Sequence, residues 1–293
     1  MRRTLSLRNW LPLAFAAAFA FLAVGTVLPS AQPVAPNATR VLSIGGSVTE
    51  IVVALGQADR LVGRDTTSSY PPEITALPDV GYMRALSPEG VLSVSPDLIV
   101  SEAGAGPPEA LEVLADVGIP FVTVPNGHDR EGLRAKIEAV GEALGTPVEG
   151  MALADQTLAR LDDAVSSIDG DPKRVMFILS TQGGRIMASG TDTAADGIIK
   201  LAGAENAVTE FEGYKPLTDE AVALADPDVV LMMDRSGDHG TTAAELFSMP
   251  AMATTKAAGT EALVQMDGLL LLGFGPRTPE AVEALAEALA DAG

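Results

Sequence analysis

Thiol, imidazole and phenol side chains, which bind metal ions or take part in catalysis, are scarce in this sequence. The chain has no cysteine, three tyrosines and two histidines. These five aromatic residues are Tyr70, Tyr82, Tyr214, His128 and His239. The lack of cysteine excludes disulfides, thiolate metal sites, cysteine nucleophiles and a lipid-anchored N-terminal cysteine. Any chemistry that needs an imidazole or a phenol therefore has few places to occur.

The histidines and serines give little support to catalysis. Neither His128 nor His239 lies at a metal-ligand spacing from other donors, so a solvated loop position is the simpler interpretation of both. A hydrolase that uses Ser47 or Ser68 with a histidine and an acid is the hypothesis from another functional class. The sequence contains no nucleophile elbow, which disfavours that hypothesis.

Other short motifs have ordinary structural explanations. The segment Gly45-Gly46-Ser47, between a predicted strand and a predicted helix, offers backbone N–H groups to an anion. It lacks the further glycines of a dinucleotide-binding or phosphate-binding loop, which disfavours a nucleotide. Residues 273–277 are likewise predicted to form a turn. Three methionines are expected to pack rather than to bind a metal: Met83, Met232 and Met233.

The charge balance limits the class of partner. The sequence has 39 acidic residues against 19 Lys and Arg, which gives a formal net charge of −20. Nucleic acids and anionic membrane surfaces both need a basic face, so neither is an expected partner. A hydrophobic content of 47% with 20% charged residues is typical of a globular protein.

The N-terminal segment has the pattern of an export signal. Three arginines precede an uncharged stretch from Leu11 to Leu28, and small and helix-breaking residues follow. We expect residues 1–35 to be a signal peptide, with cleavage between Ala31 and Ala38. A membrane anchor is the alternative, because the stretch is close to the minimum length for a span. Loss of the three arginines would change the net charge from −20 to −23. The expected product is free in the periplasm, because no cysteine is available for acylation.

The remainder of the sequence repeats itself. Residues 81–100 align with residues 213–231 across one single-residue gap, and three shorter pairs occur in the same order. The shorter pairs are 40–44 with 174–178, 54–56 with 201–203, and 137–144 with 282–289. Four pairs in one order indicate a lobe that is present twice.

Each copy alternates short β-branched runs with helical patterns. In the first copy the predicted strands are 41–44, 98–101 and 121–124, and the predicted helices are 48–55, 87–93, 107–117 and 130–144. This alternation predicts the α/β class, with two similar three-layer lobes that contain mainly parallel sheets. We assign the N-terminal lobe to residues 39–145 and the C-terminal lobe to residues 172–293.

A long helix is predicted to join the lobes. Apolar residues recur at helical spacing from Met151 to Ile168, and a Gly-Asp-Pro segment follows. We assign this linker helix to residues 146–169. A helical linker limits the hinge to modest rocking, and two facing lobes create a cleft for a ligand.

Four segments carry a resemblance to a known family: Asp65–Pro71, Gly81–Ser87, Phe211–Leu217 and Leu272–Thr278. With the two lobes and the helical linker, the chain resembles the substrate-binding proteins of ABC importers for large chelates, and among them the periplasmic haem-binding proteins. The resemblance implies that the protein captures haem, delivers it to a permease dimer with its ATPase, and catalyses nothing. It also implies an outer-membrane haem receptor upstream. A ferric siderophore or a corrinoid on the same scaffold is the alternative.

The resemblance also assigns roles to residues. Tyr70 matches the axial ligand of ferric haem, and a phenolate is a hard donor that suits Fe(III); a loop tyrosine that caps a turn is the structural alternative. Arg235 matches an arginine that approaches the haem and the tyrosine oxygen, where it would favour the charged phenolate. The two haem propionates need cations. The candidates for them are Arg84, Lys215 and Arg277, and the candidates for stacking on the porphyrin are Tyr82 and Tyr214.

Acidic residues are expected to contact the permease. Glu50 matches the acidic residue with which the family docks onto permease arginines, and the second copy offers Asp192 or Asp196. One exposed carboxylate on each lobe would steer docking onto a dimeric permease. An acid that complements the dipole at a helix start is the alternative for all three residues.

Overall fold

Two α/β lobes form the described part of the chain, which is residues 37–234 and 241–292 of a computed structural model. The predicted signal segment lies outside these residues. Within the described ranges, no helix combines the length and the apolar character that a membrane span needs.

The N-terminal lobe is built on a parallel sheet of four strands with the order β2-β1-β3-β4. Its strands are β1 (Val41–Ile44), β2 (Leu61–Arg64), β3 (Leu98–Glu102) and β4 (Phe121–Val124). Its helices are α1 (Gly46–Ala54), α2 (Pro88–Ser93), α3 (Pro108–Asp116) and α4 (Arg130–Leu144). The predicted strands and helices are confirmed, and β2 is an additional strand that the sequence pattern did not indicate.

The C-terminal lobe repeats this arrangement and extends it. Its strands are β5 (Arg174–Ser180), β6 (Met187–Ser189), β7 (Glu205–Asn206), β8 (Tyr214–Pro216), β9 (Val229–Asp234) and β10 (Leu263–Asp267). The parallel pairs give the order β7-β5-β9-β10, which matches the first lobe. The additional strand β6 pairs antiparallel with β5, and β8 pairs antiparallel with β6. The helices that follow the linker are α6 (Ala194–Leu201), α7 (Asp219–Ala225), α8 (Ala243–Phe247), α9 (Lys256–Thr260), α10 (Gly268–Leu272) and α11 (Thr278–Asp291).

Equivalent helices of the two lobes end in the same way. Helix α1 is followed by Gly56 with φ +70°, and α6 is followed by Gly203 with φ +72°. Both glycines adopt the left-handed conformation that commonly follows a helix, where a Cβ would be strained. The sequence match between 54–56 and 201–203 therefore has a physical basis in the helix ends.

The linker helix α5 (Pro147–Ser166) packs against α4 of the first lobe and α11 of the second. Its buried face includes Ala154, Leu158, Leu161 and Ala164, which belong to a hydrophobic core that extends into both lobes. Apolar burial of this kind is the dominant stabilising contribution in a folded domain. The lobes consequently share one core along the linker.

Two glycines lie in close contact with the opposite lobe. A Cβ built on Gly46 of α1 would overlap Leu269 of α10, and one on Gly197 of α6 would overlap the backbone oxygen of His128. At Gly197 the obstacle is backbone of the opposite lobe, whereas at Gly46 a Cβ would also overlap the carbonyl oxygen of Thr67 in its own lobe. The two lobes are therefore closely packed against each other at these two positions.

Candidate functional site

A cleft of about 610 Å³ lies between the lobes. Its lining comes largely from residues at or just after the carboxyl ends of parallel strands, where open α/β sheets bind their ligands. In the first lobe Ser47 follows β1 and Glu102 ends β3, and in the second Gly268 follows β10. Aromatic and basic side chains are also present in the lining: Tyr82, Arg84 and Tyr214.

The loop after β2 is built around the buried carboxylate of Asp65. Its oxygens accept hydrogen bonds from the backbone N–H of Gly45 (3.0 Å), the backbone N–H and hydroxyl of Thr67 (3.0 and 2.7 Å) and the hydroxyl of Ser68 (2.7 Å). The hydroxyl of Thr67 in turn accepts from the backbone N–H of Gly46 at 3.0 Å. These glycine N–H groups are thus bonded to the loop and are not available to an anion.

Tyr70 projects from the end of this rigid loop. Its side chain is 41% exposed. Tyr70 is not itself part of the cleft lining, but it follows Ser69, which is. A phenol presented in this way is open to a ligand that enters the cleft.

The guanidinium of Arg277 covers one face of the Tyr70 ring. The Cζ atom of Arg277 lies 3.6 Å from the ring centroid. The same guanidinium donates from Nε to Oε2 of Glu50 at 3.1 Å and from Nη2 to Oε1 of Glu50. Burial raises the pKa of Glu50, and Arg277 opposes this shift. Arg277 remains a cation, because Glu50 raises its pKa despite partial burial.

Tyr82 and Tyr214 line the cleft from opposite lobes, as the repeat suggested. The Tyr214 ring packs edge-on against Phe177, with centroids 6.3 Å apart. Burial raises the pKa of the Tyr214 phenol, while Thr193 and Ser189 oppose this shift and Arg84 does so more weakly. Tyr214 is therefore held neutral in the wall of the cleft, and Arg84 is a cleft cation near it.

The other predicted cations have different positions. Lys215 does not belong to the cleft lining, and its ammonium lies 5.1 Å from the ring centroid of Phe211. The reason is that neighbouring residues of a strand point to opposite faces, and Tyr214 occupies the cleft face of β8. Arg277 is paired with Glu50 rather than free. Arg235 and His239 lie outside the described residues.

Two of the three predicted docking acids are buried, which contradicts their expected exposure. Glu50 forms the ion pair with Arg277. Asp196, in the first turn of α6, accepts from Lys200 Nζ at 2.7 Å and from Asn206 Nδ2 at 3.0 Å. Asp192 is exposed, but it lines the cleft between the lobes.

A buried lysine at the floor of the cleft was missed by the sequence analysis. Lys136 Nζ donates to Glu102 Oε1 at 2.9 Å, to Asn126 Oδ1 at 2.8 Å, to Ser47 Oγ at 3.2 Å and to the carbonyl of Gly273 at 3.0 Å. Burial lowers the pKa of Lys136, and Glu102 opposes this shift. Helical spacing places Lys136 with Leu133, Ile137 and Val140 on the apolar face of α4, and this pattern could have indicated that the lysine is buried. The carbonyl of Gly273 belongs to the second lobe, so Lys136 also ties the lobes together.

The serines and histidines do not form a catalytic arrangement in the described residues. Ser68 is fully buried and bonds to Thr49 and Asp65, and the hydroxyl of Ser47 is buried and accepts from Lys136. His128 packs edge-on against Phe274 at 5.4 Å and lines the cleft. Burial lowers the pKa of His128, and the nearby Lys136 adds to the shift.

The methionines have mixed positions. Met83 and Met232 are buried, as packing residues would be, and Met83 and Met233 also contribute to the cleft lining.

Comparisons with known proteins agree with a two-lobed binding protein. A family model described as periplasmic binding protein matches residues 41–268. A solved periplasmic haem-binding protein, BhuT in complex with two haems, is 42% identical with a TM-score of 0.81, over 86% of this chain and 98% of that chain. The apo form of a periplasmic haem-binding protein, RhuT from Roseiflexus sp. RS-1, is 36% identical with a TM-score of 0.82, over 86% and 98%.

The chain is also similar to a curated substrate-binding lipoprotein. The uncharacterized ABC transporter substrate-binding lipoprotein YvrC of Bacillus subtilis is 29% identical over 255 residues, which cover 85% of this chain and 79% of YvrC. The match extends over most of both proteins and therefore includes both lobes.

Proposed function

Because this chain belongs to the periplasmic binding protein family, we propose that it captures ferric haem and delivers it to an ABC permease and its ATPase in the inner membrane. The proposed activity is binding and transfer without catalysis. The main support is the exposed phenol of Tyr70, fixed by the loop around Asp65 at the edge of a cleft between two lobes. The similarity to haem-binding proteins at 36–42% identity supports the same ligand.

The residues beside the cleft suit haem. A phenolate from Tyr70 would bind the ferric iron, since both are hard partners. Tyr82 and Tyr214 offer aromatic surface to the porphyrin, and Arg84 offers a cation to a propionate. Arg235 is part of the same proposal as a second cation near the tyrosine oxygen. The roles of Tyr82, Tyr214 and Arg84 are supported by their positions in the cleft lining, and the role of Arg235 is supported by the resemblance alone.

A titration tests the proposal against its alternatives. Hemin, cyanocobalamin and a ferric hydroxamate siderophore are each added to the purified protein, and absorbance and intrinsic fluorescence are recorded. We expect hemin alone to saturate, with a shifted Soret band and a phenolate-to-iron charge-transfer band. Saturation by cyanocobalamin or the siderophore without a hemin response would contradict the haem proposal in favour of the other ligand.

The proposal also includes export of the protein, cleavage of its signal peptide and the source of its haem. Residues 1–35 would direct export, with cleavage between Ala31 and Ala38, and an outer-membrane haem receptor would supply the ligand. The B. subtilis relative is a lipoprotein, whereas this sequence has no cysteine to acylate. N-terminal sequencing of the protein from a periplasmic extract tests the cleavage.

Exposed acids at equivalent places in the lobes are better docking candidates than Glu50 and Asp196. Glu89 lies in the first turn of α2 and Glu220 in the first turn of α7, and both are exposed. Ser87 and Thr218 cap these helices in the same way, and the repeat aligns the two segments. The pair thus gives one carboxylate on each lobe for a two-fold permease.

The variant Glu89→Gln/Glu220→Gln is expected to bind hemin normally and to lower hemin-dependent growth or uptake on the order of tenfold, because rim charges govern association. Uptake is measured in a strain whose only copy carries the substitutions. The control variant Glu109→Gln/Glu283→Gln removes two exposed charges elsewhere. Equal uptake by the two variants would contradict this docking surface.

A further inference from the structure

An ion pair between the lobes lies directly beside the proposed iron ligand. Glu50 belongs to α1 of the first lobe and Arg277 immediately precedes α11 of the second, and they form two hydrogen bonds. Their side chains are only 5% and 17% exposed. A bidentate pair fixes the plane of the guanidinium as well as its position.

The same guanidinium also contacts Tyr70, which belongs to the first lobe. Its Cζ atom stands 3.6 Å from the ring centroid, a cation–π contact on the ring face. A single cation of the second lobe therefore holds two groups of the first lobe, one acidic and one aromatic. This contact favours one orientation of the Tyr70 ring.

Separation of the lobes would act on both contacts at once. Arg277 would leave Glu50, and the cation would leave the ring whose oxygen is the proposed iron ligand. A phenolate ring carries more electron density than a phenol ring, so a facing cation favours the iron-bound form more than the free form. Loss of the cation would consequently favour release, in which the bond between iron and oxygen breaks and the Tyr70 oxygen takes up a proton from solvent.

We infer that Arg277, oriented by Glu50, is a positioning residue that couples lobe separation to haem release through Tyr70. This inference rests on the proposed function. It names a chemical step for delivery: a permease that moves one lobe away from the other removes the cation from the iron ligand.

Three variants and their combination test the coupling in the hemin complex of the full protein. They are Arg277→Met, Arg277→Lys, Glu50→Gln and Glu50→Gln/Arg277→Met. We measure hemin dissociation by transfer to excess apomyoglobin and record the phenolate-to-iron charge-transfer band. We expect Arg277→Met to accelerate dissociation on the order of tenfold and to shift the band. Arg277→Lys should lie between it and the unmodified protein.

Glu50→Gln is the informative variant for the link across the lobes. It leaves Arg277 and Tyr70 unchanged, and we expect about a threefold acceleration that vanishes in the Arg277→Met background. The control is Glu280→Gln, which removes an exposed partner of Arg160 close to Arg277. Thermal melting of each variant distinguishes loss of the fold from loss of positioning. If Arg277→Met does not fold, the dissociation rate of Arg277→Lys takes its place in the comparison.

The outcomes separate this inference from the proposed function. If the unmodified protein does not bind hemin saturably, the proposed function fails and this inference fails with it. If it binds hemin but Arg277→Met matches the Glu280→Gln control in rate and band, the inference alone is overturned. Additive effects of Glu50→Gln and Arg277→Met would also overturn it, because the two residues would then act independently.

Discussion

Tyr70→Phe is expected to abolish the phenolate-to-iron charge-transfer band of the hemin complex and to weaken hemin binding about a hundredfold or more. Loss of an outer partner of a metal ligand already costs about 10–100-fold in affinity, and this change removes the ligand oxygen itself. The Tyr70 side chain is partly exposed and the loop around Asp65 does not use its hydroxyl. The fold should therefore be unaffected, and absorbance titrations measure both effects.

Tyr82→Phe is the matched control for this prediction. It removes a hydroxyl from an exposed tyrosine that lines the cleft, and it keeps the aromatic ring for stacking. We expect it to retain the charge-transfer band and most of the affinity. A complex of Tyr70→Phe that keeps the band would identify a different iron ligand.

Lys136→Met is expected to lower the free energy of unfolding by about 3–5 kcal/mol. The substitution leaves the carboxylate of Glu102 buried without its cation, which is among the most costly single changes in a protein interior. It also removes the hydrogen bonds from Nζ to Asn126 and to the carbonyl of Gly273. Urea denaturation of the apoprotein measures the change as a shift of the transition midpoint.

A second substitution distinguishes charge from packing at this position. Lys136→Met/Glu102→Gln removes both charges, so we expect it to recover part of the lost stability. The control is Lys256→Met, whose side chain is 60% exposed in an ion pair with Asp226 and Asp228; it should cost about 1 kcal/mol or less. A loss for Lys136→Met no larger than that of the control would show that the buried pair contributes little.

Most strands of the sheets could be predicted from the sequence because the patterns that indicate them are local. Alternating β-branched and helical runs placed β1, β3 and β4 of the first lobe, and the repeat placed their counterparts β5 and β9. The short strand β2 contains a glycine, so its pattern did not stand out. The antiparallel extension by β6 and β8 has no counterpart in the first lobe, and the repeat could not indicate it.

The polar contacts between the lobes could not be predicted from local sequence patterns. Glu50 and Arg277 are 227 positions apart, and each has an ordinary local explanation as a helix-start acid or a turn arginine. Lys136 occupies an apolar helix position, but the sequence does not say which carboxylate compensates it. Lys215 matches Arg84 in the repeat, yet β8 is a strand and its alternation turns Lys215 away from the cleft.

The linker helix α5 has a consequence for how the molecule unfolds. Both lobes pack part of their core on this helix, with Ala154, Leu158 and Leu161 at the junction. Each half of the duplicated sequence therefore buries part of its apolar surface against this helix, while the first lobe also has a smaller core that does not involve it. The two copies of the repeat are therefore not expected to unfold independently. Amides of both lobes should lose hydrogen-exchange protection together in a single global opening.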